Sequence, residues 1–63
     1  MRIEVYKQIQ GQDPPEWELT GRGELINAVV LNNRVQLVYA DEGRKSILVV
    51  DTKDSGTKVK ING

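Results

Sequence analysis

GELINAVVLNNRVQLVY, residues 23–39, is the stretch whose reading decides the fold. Two runs rich in β-branched and apolar residues flank Asn32-Asn33, a pair suited to the positive φ angles of a two-residue hairpin turn. With the turn there, Leu31 faces Arg34, Val30 faces Val35, Ala28 faces Leu37 and Ile26 faces Tyr39. Alternate pairs share a face of the sheet. One face then carries Ile26, Ala28, Val30, Val35, Leu37 and Tyr39, with no charge among them. The other carries Leu25, Asn27, Val29, Leu31, Arg34, Gln36 and Val38. A helix over residues 24–31 is the competing assignment, since Leu25, Ala28 and Val29 have helical spacing. Eight residues make a marginal helix, and the strand register accounts for more positions.

The register carries downstream. Asp41-Glu42-Gly43 suits a three-residue loop with Gly43 in the left-handed region, pairing Tyr39 with Lys45, Leu37 with Ile47 and Val35 with Val49. Asp54-Ser55-Gly56 suits the same turn again and pairs Thr52 with Lys58, Asp51 with Val59 and Val49 with Ile61. Residues 24–40, 37–50 and 47–61 thus read as successive hairpins within a single small β domain, residues 1–63. On this register Leu48 and Val50 join Leu25, Val29, Leu31 and Val38 on the second face. That is more apolar surface than a water-facing side carries.

Upstream, residues 2–9 read as a first strand with Ile3, Val5 and Ile9 on one face and Glu4, Tyr6 and Gln8 on the other. Lys7 breaks the pattern and marks a strand end or a bulge. Residues 10–16, QGQDPPE, form a loop, because two adjacent prolines fix φ and remove two donors. A turn within one domain is favoured there over a hinge. Trp17 to Thr20 is a short extended run, and Gly21-Arg22-Gly23 marks a bulge or bend. Such a bend lets one long strand serve two layers. The expected fold is therefore all-β: a small five-stranded antiparallel meander, as an SH3-like or OB-like barrel or a curled sheet. The barrel comparison rests on strand count and turn spacing.

Sixty-three residues make at most one domain, near the lower limit for independent folding. Such a chain buries only about 60% of its extended surface, so core gain and chain entropy nearly cancel. The chain holds no cysteine and no histidine, which excludes disulfides and Cys/His zinc sites. Oligomerisation is the remaining common source of added stability. Nine basic and nine acidic side chains cancel, with three against five in residues 1–33 and six against four in residues 34–63. No apolar run approaches the ~20 residues that span a membrane, and MRIEVYKQIQ lacks the features of a signal peptide. The cytoplasm is the default compartment. The close of the chain two residues after its last strand position fits a trimmed domain.

Without Cys or His the usual nucleophile–base pairs cannot be assembled. Glu16/Glu18 and Asp41/Glu42 are solvated pairs on a strand and a turn, lacking the walled cleft that splits carboxylate pKa values. Asp51 to Gly56 loosely echoes a calcium loop, but Lys53 stands where an oxygen ligand belongs and Asn62 where the closing Glu belongs. Gly21-Arg22-Gly23 and Gly56-Thr57-Lys58 are fragments of phosphate-binding motifs without their remaining glycines or context. No enzyme and no cofactor is expected.

Two surfaces remain. The leading expectation is a protein-interaction or self-assembly module, binding a second copy or another protein through Tyr6, Trp17, Val29, Leu31, Val38, Leu48 and Val50. Trp17 is either such an anchor or a cap on the core. The alternative is a nucleic-acid-binding barrel using Arg44, Lys45, Lys58 and Lys60, for small barrels bind single strands through basic grooves with aromatic platforms. Lysines on an edge strand also resist edge-to-edge aggregation, the bland reading of Lys58 and Lys60.

Overall fold

The computed structural model describes residues 1–63 as five antiparallel strands in one sheet, with no helix. β1 spans Arg2–Gln8, β2 Trp17–Leu31, β3 Arg34–Asp41, β4 Arg44–Asp51 and β5 Thr57–Asn62. The strand order is β4-β3-β2-β1-β5, and the sheet curls without closing, so β4 and β5 are its edges.

β2 is the shared element. Its first half pairs with β1, from Trp17 opposite Gln8 to Glu24 opposite Arg2. Its second half pairs with β3, from Glu24 opposite Ala40 to Leu31 opposite Arg34. Fifteen residues in a straight strand would run about 46–50 Å, whereas the molecule extends only 34 Å along its longest axis. The bend falls where the glycines stand. Gly21 and Gly23 are both buried; a Cβ on Gly21 would lie 2.6 Å from Tyr39 Oη, and one on Gly23 would run into the Ala40 carbonyl. The missing side chains let β2 fold back against β3. Residues 24–31 accordingly belong to a strand.

The core lies inside this curl. Ile3, Val5, Leu37 and Tyr39 are its buried members, with Leu25, Val35, Leu48 and Val59 packed around them. The 10–16 loop is a turn within this unit: Ile9 N–H donates to the Glu16 carbonyl at 2.9 Å as β1 leads into β2. Lys7 stands near the end of β1, beyond a register shift that pairs Val5 with Gly21 but Tyr6 with Leu19. Its ammonium donates to Thr57 Oγ1 at 3.0 Å.

Three registers differ from the sequence-based expectation. In the β2–β3 hairpin, Asn32 takes φ 57° and the pairing runs as expected from Leu31 to Asn27. A bulge at Ile26 then sets Leu25, and not Ile26, opposite Tyr39. Leu25 turns toward the core and Ile26 toward water.

Between β3 and β4 the turn has two residues, Glu42 at φ 50° and Gly43 at φ 79°, so Asp41 remains in the strand opposite Arg44. Two left-handed residues match the twist of the flanking strands. Against the expected three-residue loop this shifts the pairing by one, which reverses every side chain of β4. Leu37 meets Leu48 and Val35 meets Val50, while Ile47 and Val49 face outward.

The expected 47–61 hairpin does not form. Residues 52–56 instead carry the chain past the β2–β3 turn, where Thr52 N–H donates to the Asn33 carbonyl at 2.8 Å, and β5 lies beside β1. Val59 stands opposite Val5 and Ile61 opposite Ile3. This pairing puts apolar residues beside the two most buried side chains, which a β4–β5 hairpin would have left on an edge strand. Asp54 shapes the crossing: its carboxylate accepts from Gly56 N–H at 2.7 Å and from the Thr57 hydroxyl at 2.9 Å.

Candidate functional site

Two surfaces outside the core collect most of the sequence-derived site residues. The first is the outer face of β3, β4 and the second half of β2. Strand pairing sets Asn27, Val38 and Ile47 in one row, Val29, Gln36 and Val49 in the next, and Leu31, Arg34 and Asp51 in the third. Leu31, Ile47 and Val49 are 58%, 63% and 56% exposed, and Val29 and Val38 are partly buried. Val29, Leu31 and Val38 thus stand on one apolar face as expected. Leu48 and Val50 do not: the two-residue turn directs them to the core side, and Ile47 and Val49 take their place. The run Ile47-Leu48-Val49-Val50 is apolar at every position, so no polar residue within it marks which alternate set faces water. Ser46 opposite Tyr39 and Lys45 opposite Ala40 were the nearest available signals.

The second surface is the outer face of β1, β5 and the first half of β2. Tyr6 lies opposite Leu19 on one side and Lys58 on the other, and Gln8 lies opposite Trp17. The Lys58 ammonium reaches across β1 to 4.7 Å from the centre of the Trp17 ring, and the Lys60 ammonium stands 5.5 Å from the centre of the Tyr6 ring. Both rings are partly exposed. Trp17 therefore does not cap the core, a place taken by Tyr39 against Gly21. Partial desolvation raises the Tyr6 hydroxyl above the ordinary phenol value, and the neighbouring Glu4 carboxylate adds to the shift. The only ion pairs in the molecule join Glu24 to the Met1 ammonium at 3.0 Å and to Arg2 at 3.5 Å. Lys58 and Lys60 thus have no carboxylate within 4.0 Å.

The structure divides the four expected nucleic-acid residues. Lys58 and Lys60 share β5, whereas Arg44 and Lys45 open β4 at the opposite edge of the sheet. Adjacent strand residues point to opposite faces, so Arg44 and Lys45 do not act together. Arg44 lines an open groove with Arg22, Asp41 and Glu42, where carboxylates offset the guanidinium groups. The partnership of Tyr6 and Trp17 with Lys58 and Lys60 was illegible without knowing that β5 crosses to β1. No three acidic side chains converge as a metal-ligand set, and no helix is long and apolar enough to cross a membrane.

Comparison of the chain with protein-family models, with curated proteins and with solved structures gave no match.

Proposed function

We propose that this chain is a non-enzymatic assembly module that associates with a second copy of itself through the outer face of the β2–β3–β4 half. The observation that carries this reading is the exposed trio Leu31, Ile47 and Val49, one from each of three successive rows of that face, beside Val29 and Val38. The accessible surface is 4791 Å², whereas a compact monomer of 7.1 kDa exposes about 4,100 Å². The excess is close to the ~800 Å² that each partner contributes to a standard interface. The radius of gyration, 12.1 Å, likewise exceeds the ~10.6 Å of a compact chain this long. Zero net charge leaves no overall repulsion between copies. Two such sheet faces can pack about 10 Å apart with their side chains interdigitated.

Within the all-β class, the strand order favours the SH3-like over the OB-like reading. The OB-fold is a Greek-key barrel, whereas here four consecutive strands meander around a bent β2 and only β5 crosses.

Ile47→Asp and Val49→Asp each place a charge in the proposed contact while leaving the core untouched. Sedimentation of either variant is expected to show a folded monomer where the parent chain shows a dimer. A folded variant that keeps the parent's mass would remove this face as the interface. Binding to a different protein, with the free chain monomeric, would replace the second copy as partner.

A further inference from the structure

We propose that the outer face of β1, β5 and the first half of β2 binds single-stranded nucleic acid, with Trp17 and Tyr6 as stacking platforms and Lys58 and Lys60 as phosphate contacts. This site is separate from the apolar face of β2–β3–β4 and does not depend on self-association.

Ring and charge are paired on this face. Trp17 and Tyr6 are diagonal neighbours on adjacent strands, a separation of about 7–8 Å, and each carries one ammonium above it, at 4.7 and 5.5 Å. Lys58 and Lys60 are two residues apart on one strand, so they project from the same face about 6.6–6.8 Å apart. The face therefore repeats one planar ring and one cation twice along its length. A single strand of nucleic acid repeats one planar base and one phosphate per nucleotide. An acidic peptide supplies the anions without the rings, and a duplex hides its base faces in the stack. A single strand matches both halves of the repeat, at about two nucleotides.

The charges are available for this use. Neither ammonium has a carboxylate within 4.0 Å, because the ion pairing of the molecule is confined to Glu24. An exposed cation–π contact is weak, so an ammonium can leave its ring to an incoming base and turn to the adjoining phosphate. Glu4, opposite Lys60 and beside Tyr6, is the one carboxylate in the row, and Arg22 lies opposite it on β2. The face keeps a local positive excess within a neutral molecule, which sets modest affinity and recognition by stacking instead of by base identity.

Trp17 is the sole tryptophan, so its fluorescence reports directly on the site. Oligo(dT) and oligo(U) of about eight nucleotides, added at low salt, are expected to quench it. The affinity should fall with salt at a logarithmic slope of about −1.4, as two single-strand phosphate contacts require. By anisotropy of a labelled strand, Trp17→Ala should weaken binding about tenfold or more. Lys58→Ala/Lys60→Ala should abolish the salt slope, and Arg44→Ala/Lys45→Ala should change neither quantity. Circular dichroism verifies that the variants, all altered at exposed or half-exposed positions, remain folded. Three results would overturn the proposal: no quenching at low salt, equal quenching by poly-glutamate, or equal loss from the Arg44/Lys45 variant.

Discussion

At Gly23 the backbone of β2 passes against the Ala40 carbonyl, and at Gly21 it passes beneath the hydroxyl of Tyr39. These two contacts set how sharply the strand folds back, and they differ in what can yield. Ala40 O is backbone and held in the β2–β3 ladder, so Gly23→Ala is expected to destabilise by about 1–3 kcal/mol, a large share of a small domain's stability. At Gly21 the obstructing atom is Tyr39 Oη, and the ring carbon behind it stands at 3.5 Å, an ordinary contact. Tyr39→Phe should therefore relieve much of the loss in Gly21→Ala and none of the loss in Gly23→Ala. Urea denaturation of the singles and doubles reads the difference as a non-additive coupling at one site only. Two carboxylates make the stability of the fold depend on pH in the acid range. Hydrogen bonding and charge from the Met1 ammonium, then Arg2, hold Glu24 below its ordinary 4.5, and the Gly56 N–H and Thr57 hydroxyl hold Asp54 below its ordinary 3.8. Depressed folded-state values contribute stability that is complete above the unfolded values and is lost as pH falls through the folded ones. Thermal unfolding temperature should thus be level from neutrality to about pH 5 and drop below pH 4.5. Asp54→Asn should flatten the lower part of that drop, and an unchanged profile would show that Asp54 does not couple to folding.

At the scale of the element, local pairing around Asn32-Asn33 and the bend at Gly21 and Gly23 were legible in the sequence, because turn residues and glycines announce themselves. The bulge at Ile26 was not: Leu25 and Ile26 are equally apolar, and only the depth of Tyr39 decides between them. The β3–β4 register failed for a related reason. Glu42 is not a residue that favours positive φ, so Gly43 alone looked left-handed, and the uniform run Ile47–Val50 offered no contradiction. Of the six apolar positions expected on the second face, Val29, Leu31 and Val38 stand where they were expected, Leu25 turned to the core at the bulge, and Leu48 and Val50 exchanged with Ile47 and Val49. The partner of β5 was beyond local reasoning, since both β4 and β1 offer apolar residues at alternate positions. The register is testable by a cross-link. Val35 and Val50 are directly opposed, within the 4.4–6.8 Å between Cα atoms that a disulfide spans, so Val35→Cys/Val50→Cys should oxidise to an intramolecular bridge. Val35→Cys/Val49→Cys should not, because Val49 points to the other side. The reverse result would restore the three-residue turn.

For the whole molecule, four buried hydrophobic side chains are a small core for five strands. Chains of this size without disulfides or metals commonly draw added stability from association, and the apolar face that β2, β3 and β4 turn to water supplies a surface for it. A symmetric pair packed on that face would bury Leu31, Ile47 and Val49 of both copies and leave Trp17, Tyr6, Lys58 and Lys60 on the outside. Assembly and strand binding would then coexist, with two nucleic-acid faces per dimer. Absolute mass by light scattering over a concentration series tests assembly most directly. Self-association through this face predicts a dimer, twice the 7.1 kDa of the chain, that dissociates on dilution. A single 7.1 kDa species at every concentration would contradict it.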